Sequence, residues 1–170
     1  MHVWRILACV TALIAIGEAR AANPEVVVDT SFGKFTLELF EDKAPITVKN
    51  FLQYVDDKHY DGLIFHRVKP DSMIQGGGFT PGMNERKVRD PIKNESSNGL
   101  KNLRGTIAMP RAKNQPDSAT SQFYVNVVDN PTLDKAAGGY CVFGRVLDGI
   151  DVVDKIRKVE TVELDRKSVV

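Results

Sequence analysis

A chain of 170 residues, 42% apolar and 26% charged, is long enough for one domain with a core of its own. A formal net charge of +1 with no lysine- or arginine-rich run leaves no global field to hold nucleic acid or an acidic membrane. The chain has no internal repeat and no low-complexity segment.

Residues 1–21 read as an export signal. Arg5 supplies positive charge, and residues 6–17 form a mostly apolar run too short for a comfortable membrane span. Ala19-Arg20-Ala21 then offers small residues at the spacing a signal peptidase reads. Cleavage after Ala21 is expected, so that the mature chain begins Ala22, Asn23, Pro24 and is formally neutral. An uncleaved membrane anchor is the alternative. Cys9 does not fit a lipidation site, because the apolar run follows it rather than precedes it. Cys141 is the only other thiol, so the mature chain has no internal disulfide, and its apolar strand-like setting suits an inert buried thiol.

The mature chain opens with two strands, 25–30 and 34–39, around a turn at Ser31-Phe32-Gly33. Pro45 suits the first turn of a helix, and Val48, Phe51, Leu52 and Val55 follow the i, i+3, i+4, i+7 spacing of one apolar stripe. That helix should end near Asp57 and plug an end of a sheet. Two further strands, 64–68 and 73–75, flank a Pro70-Asp71 turn, and three glycines follow. Alternation sends Phe65 and Arg67 to one face and His66 to the other, while Met73 and Gln75 share a face and Ile74 points away. An apolar pocket with two planar hydrogen-bonding heads has the composition of a ligand site. The plain alternative is an ordinary hairpin with an exposed arginine.

Residues 80–103, rich in Pro, Gly, Asn and charge, read as a long surface loop. Within it Asn94-Glu95-Ser96 matches a glycosylation acceptor, which matters only in a eukaryotic secretory pathway. Strands follow at 105–109, 122–127 and 140–146, with a loop over 110–119. Ile150, Val153 and Ile156 mark a short second helix after Gly149. Residues 159–170 alternate only in part and are a candidate edge strand. Many strands with two separated helices predict a mainly β, closed antiparallel sheet capped by the helices. His59 and His66 lack a third partner at metal spacing, and Gly76-Gly77-Gly78 lacks the Gly-Lys-Ser/Thr of a phosphate loop, so no metal and no cofactor are expected.

Four runs carry a resemblance. Phe65-His66-Arg67-Val68, then Met73-Ile74-Gln75-Gly76-Gly77-Gly78-Phe79, then Ser118-Ala119-Thr120-Ser121-Gln122-Phe123-Tyr124-Val125-Asn126, and Gly139-Tyr140-Cys141-Val142-Phe143-Gly144 occur in this order. Together they resemble the cyclophilin family of peptidyl-prolyl isomerases, most closely its short bacterial members, from about residue 26 to 158. The resemblance implies an eight-stranded antiparallel barrel with a helix at each end, here a single domain over 22–170. It also implies a monomeric isomerase of X-Pro bonds in unfolded or loop segments. With the signal, this becomes an isomerase in the periplasm, without nucleic-acid or stable membrane partners. The alternative is a proline-peptide-binding or chaperone module with weak or no turnover.

By the same resemblance Arg67 is the catalytic arginine, and Gln75 binds the substrate carbonyl beside it. Met73, Tyr124, Leu133 and Tyr140 form the proline pocket and its rim, and Gln122 positions the peptide. Arg111 matches a position whose main chain pairs with the substrate, a role that does not call on its side chain. Phe65, Phe123 and Phe143 belong to the core, and His66 is structural. Four residues depart from the family pattern. Ser72 stands where many members carry a pocket phenylalanine, Tyr124 replaces a second one, Pro110 replaces a small alanine, and Thr132 stands where cyclosporin-sensitive members have tryptophan. These departures imply a slower isomerase that cyclosporin inhibits poorly. After Lys158 the family pattern fades, and closure of the implied barrel rests on residues 159–170 as an edge strand that lacks the family's proline-containing ending.

Overall fold

The computed structural model describes residues 22–164 and 167–169; the expected export signal at 1–21 lies outside the described residues. Its elements, in order, are β1 (Glu25–Thr30), β2 (Gly33–Leu39), α1 (Pro45–Asp56), β3 (Arg67–Lys69), β4 (Met73–Gly76), β5 (Thr106–Ala108), β6 (Phe123–Asn126), β7 (Val142–Asp148), α2 (Ile150–Ile156), β8 (Val162–Leu164) and β9 (Lys167–Val169). β1 to β7 form one antiparallel sheet in the order β1-β2-β7-β5-β6-β4-β3.

The mainly β architecture, a curled antiparallel sheet with two helices, is as the sequence implies, with seven strands in the sheet where eight are expected. Among the described residues the sheet has seven strands, and its edges β1 and β3 do not pair with each other. The reason lies in the C-terminal segment. It folds on itself as the β8–β9 hairpin, with Val162 opposite Val169, and β9 lies alongside β3. An apolar cavity of about 430 Å³, lined by Val28, Phe32, Ile64 and Phe65 among others, remains on the β1 side.

Phe35, Leu37 and Leu39 alternate into the core along β2. α1 lays Val48 and Phe51 against the same core, and Phe51 meets Phe123 and Phe143 with ring centroids 5.5 and 5.3 Å apart. Burying each such side chain contributes about 1.5–3 kcal/mol. The helix therefore plugs the sheet as its stripe predicts, and Tyr54 and Asn50 extend the buried face. Its N-terminus has no side-chain cap of its own. Glu95, from the long loop, accepts hydrogen bonds from the backbone N–H of Ile46 (3.2 Å) and Thr47 (2.8 Å), and from the Thr47 hydroxyl (2.7 Å). A carboxylate there satisfies orphan donors and complements the helix dipole. The Asn-Glu-Ser triplet thus has a structural role, since Asn94 also donates to the Gly139 carbonyl. α2 packs Val152, Val153 and Ile156 into the same core after Gly149. Gly149 has φ +80, and a Cβ there would meet the Lys34 carbonyl at 2.6 Å, so no larger residue fits that start.

Beyond α1 the chain turns through His59, which is buried among aromatic rings, 4.6 Å from Tyr54 and 5.4 Å from Tyr60. Burial lowers its pKa; a hydrogen bond with the Gly77 backbone and the charge of Asp57 oppose that, and Arg86 and Arg89 reinforce it. A base whose pKa is lower folded than unfolded makes the unfolded chain take protons first. Its contribution is complete above the unfolded value of about 6.5 and is lost as pH falls from there toward the folded value. Urea midpoints should accordingly drop between pH 7.5 and 5.5, and drop less in His59→Gln. Identical slopes in the two proteins would refute this role.

Candidate active site

β3 and β4 pair with Arg67 opposite Gln75 and Lys69 opposite Met73, and β4 pairs with β6 with Gln75 opposite Tyr124. Paired positions share a face, so this register sets Arg67, Gln75 and Tyr124 in one row. The opposite face carries Val68, Ile74 and Val125 into the core. Every residue of β4 and β6 is buried, because loops cover the side that a sheet commonly leaves to water. A second apolar cluster forms there from Met73, Ala108, Tyr124 and Val142, with Leu133 and Tyr140 packed against it.

Arg67, Met73, Gln75, Arg111, Tyr124, Leu133 and Tyr140, seven of the eight residues the sequence singles out, line one cavity of about 300 Å³. The eighth, Gln122, lies in an adjoining cavity of about 300 Å³ that shares Gln75, Pro110 and Arg111 as its wall. Hydrogen bonds join the two. Arg67 Nη1 donates to Gln75 Oε1 at 3.2 Å, and Gln75 Nε2 donates to Gln122 Oε1 at 2.8 Å. Gln75 is thereby held at both ends of its amide, and Arg67, half-buried, is held at one of its nitrogens. The glycines beyond β4 make room for this chain. A Cβ on Gly78 would meet Gln122 Nε2 at 2.8 Å, and Gly77 has φ +86 with the Ser121 carbonyl 2.8 Å from where its Cβ would sit.

The Arg111 side chain takes part in the wall as well. Its guanidinium stacks 4.6 Å from the Tyr140 ring centroid and donates to the carbonyls of Gly139 (3.1 Å) and Ala136 (2.9 Å). This fixes the short 3-10 turns at Pro131–Asp134 and Ala136–Gly138, the first of which carries Leu133. Phe65 behaves differently from strict alternation with Arg67. The strand begins only at Arg67, so the Phe65 ring is free to turn into the core, edge-on to Phe123 at 6.1 Å. His66 does face away from Arg67, buried 4.6 Å from Phe79. Cys141 is buried and its thiol is pushed up to about 11 by burial, which leaves it an inert neighbour of Tyr140.

Beneath the cavity lies a polar network that reading the sequence missed. Asn102, 1% exposed, ends the segment read as a surface loop. Its Oδ1 accepts from the Tyr124 hydroxyl (2.7 Å) and Asn126 Nδ2 (3.2 Å), while its Nδ2 and backbone N–H donate to Asp134 Oδ1 at 3.0 and 2.9 Å. Asn130 Nδ2 donates to Asn126 Oδ1 (2.7 Å) and to the Ser72 carbonyl (3.0 Å). Burial raises the Asp134 pKa, but the two Asn102 hydrogen bonds and Lys101 and Lys135 outweigh it, and the net shift is downward. Burial also raises the Tyr124 pKa, so its hydroxyl stays a donor. One asparagine therefore ties the cavity floor at Tyr124 to the turn that carries Leu133. No spacing or periodicity marks such a residue, since a loop asparagine reads as a turn former.

Asn102→Ala strips partners from groups that water does not reach and should cost about 2–3 kcal/mol of stability. Tyr124→Phe removes one hydroxyl and should cost about 1 kcal/mol. Urea titrations at constant m-value test both, and an Asn102→Ala midpoint equal to that of the parent would show the network to be dispensable.

Comparison with known proteins identifies the family. Residues 25–169 match the family described as cyclophilin type peptidyl-prolyl cis-trans isomerase/CLD. A peptidyl-prolyl cis-trans isomerase of Acinetobacter baylyi is 52% identical over 157 residues, covering 91% of this chain and 83% of the relative. Peptidyl-prolyl cis-trans isomerase B of Escherichia coli is 53% identical over 141 residues, covering 80% of this chain and 85% of the relative. In three dimensions, a cyclophilin type isomerase of Cryptosporidium parvum, solved in the presence of the dipeptide Ala-Pro, superposes with a TM-score of 0.70 at 24% identity. That likeness covers 86% of this chain and 95% of the other and concerns the fold alone. A family match across nearly all of the folded region, with relatives at about half identity, makes this chain a member of the cyclophilin-type peptidyl-prolyl cis-trans isomerases.

Proposed function

We propose that this enzyme turns X-Pro bonds by aiming the Arg67 guanidinium at the amide nitrogen of a proline seated in the cavity of Met73, Tyr124, Leu133 and Tyr140. An amide resists rotation by about 18–20 kcal/mol, because twisting it breaks resonance. No covalent bond need form, so a nucleophile has no task here. In the twisted amide the nitrogen regains its lone pair and accepts a hydrogen bond that the planar amide cannot. A guanidinium is a suited donor, since it stays charged and its N–H groups lie in a fixed plane. A bond stronger in the transition state than in the ground state is what lowers a barrier. A charge-assisted hydrogen bond contributes about 1.5–3 kcal/mol, or roughly 10- to 150-fold in rate. Exclusion of water by the cavity walls supplies the remainder.

The observation that carries this reading is the bond from Arg67 to Gln75, which holds the guanidinium over the cavity before substrate arrives. In this scheme Gln75 binds the substrate carbonyl, and Gln122 and the Arg111 main chain steer the flanking peptide. The substrates are proline-containing unfolded or loop segments of proteins, with the enzyme acting as a monomer without metal or cofactor. The residues preceding the fold support export, followed by action on folding proteins in the periplasm. Ser72 favours a second reading, a peptide-binding module with little turnover, because it walls the cavity with one short side chain.

In an isomerisation assay with a proline peptide, Arg67→Ala should lose about 10- to 150-fold in kcat/KM, and its affinity for the peptide should change less. Equal rates for the two proteins would remove Arg67 from the mechanism, and no rate in the parent would favour the binding module. Export is tested separately. The protein recovered from the periplasm of an expressing bacterium should begin at Ala22, and an intact Met1 would overturn the cleavage.

A further inference from the structure

The basic wall of the cavity has a consequence for substrate choice. Three cationic side chains, Arg67, Lys69 and Arg111, line it, and among the described residues no aspartate or glutamate does. Arg67 and Lys69 stand two residues apart on one face of β3, about 7 Å along the strand. Arg67 is turned to Gln75, and the Arg111 guanidinium is spent on backbone carbonyls and the Tyr140 ring. Lys69 is exposed and forms no ion pair among the described residues. Beside it the wall is Ser72, half-buried, whose hydroxyl lies 3.5 Å from Asn130 Oδ1. So short a side chain puts no bulk between the lysine and the cavity. At the other end of the groove, past Gln75 and Pro110, the adjoining cavity is lined by Glu85 together with Arg111, whose guanidinium is engaged with backbone carbonyls and the Tyr140 ring. The Lys69 end thus offers an exposed cation, and the other end adds an acid.

We infer that Lys69 is a specificity-determining residue, which makes the enzyme prefer prolyl bonds with an aspartate or glutamate one or two positions from the proline, on the side that runs along β3 toward the Pro70 turn. The inference rests on the isomerase reading of the cavity. A peptide lying across Arg67 brings a side chain one or two residues away into reach of the Lys69 ammonium, because an extended chain advances about 3.3 Å per residue. A carboxylate there meets a cation with no competing acid among the described residues of the wall. On the other side of the proline the same carboxylate approaches Glu85, which opposes it. The preference is therefore one-sided.

The test uses four peptides with glutamate one or two positions before or after the proline, each paired with its glutamine counterpart. For at least one position on a single side, kcat/KM for the glutamate peptide should exceed that for the glutamine peptide about two- to fivefold, as befits a solvent-exposed ion pair. The ratio should fall toward one in 0.5 M salt and in Lys69→Gln, and should favour lysine at that position in Lys69→Glu. Titration calorimetry of the same pairs gives the ratio of affinities even if turnover is absent, so a failure of the role given to Arg67 is told apart from a failure of this one. Equal rates and affinities for glutamate and glutamine at all four positions, or a preference that survives in Lys69→Gln, would overturn the inference.

Discussion

The site depends on strand register. Arg67 faces Gln75, and Gln75 faces Tyr124, because β3, β4 and β6 pair as they do. A slip of one residue would send Arg67 and Gln75 into the core and bring Val68 and Ile74 out. The register is held from the other side of the sheet, where Val68, Ile74 and Val125 belong to the main core. Core packing and the aim of the guanidinium are thus two faces of one constraint. The three-strand alignment also explains why Gln75 can bond Arg67 on one strand side and Gln122 on the other.

A cavity on the outer side of a sheet needs a cover, and the cover brings polar backbone with it. The segments around Asn102 and over 130–140 run across β4 and β6 and bury both faces of those strands. Loops of this kind carry N–H and C=O groups that must find partners away from water. Asp134 accepts from the Asn102 N–H, and Asn130 donates to the Ser72 and Val128 carbonyls, while Asn102 and Asn126 tie these side chains together. A partly satisfied network would be worse than an apolar floor, but here each amide is used at both its oxygen and its nitrogen. The result is a cavity floor held by directional bonds, so that Leu133 and Tyr124 keep their spacing without a large apolar cluster behind them.

Much of this was legible in the sequence. The stripe Val48, Phe51, Leu52 and Val55 fixes α1 because a helical period of apolar residues has few other uses. The motif residues Arg67, Met73 and Gln75 meet in one cavity because a tight turn at Pro70-Asp71 leaves little choice of register. Phe65 escaped strict alternation because periodicity holds only within a strand, and the strand begins two residues later. The strand count of seven had its trace in residues 159–170, whose alternation was incomplete; a segment that pairs with itself adds no eighth strand to the sheet. Asn102 left no trace, since burial of a loop polar group is decided by which loops meet, and local sequence does not record that. Lys69 was hidden for a related reason: a lysine at the end of a strand usually extends to solvent, and only the short neighbour Ser72 leaves it open to the cavity.

The departures at residues 72 and 124 make physical sense together. A tyrosine in the floor brings a hydroxyl into a place where burial penalises an unmatched donor, and Asn102 meets it at 2.7 Å. A serine in the wall gives up the apolar contact that an aromatic ring would offer, and its segment is tied instead through the Ser72 carbonyl to Asn130. Both changes move the cavity from apolar packing toward fixed hydrogen bonds, and both feed into the same asparagine network. Grip on the proline ring weakens with loss of apolar area, whereas the aim of Arg67 depends on Gln75 and on register, which neither change touches. In the proposed mechanism, ground-state binding and transition-state stabilisation are therefore carried by different residues. On that proposal, a cavity built this way can exchange affinity for selectivity along its rim and still hold the guanidinium over the bond that must twist.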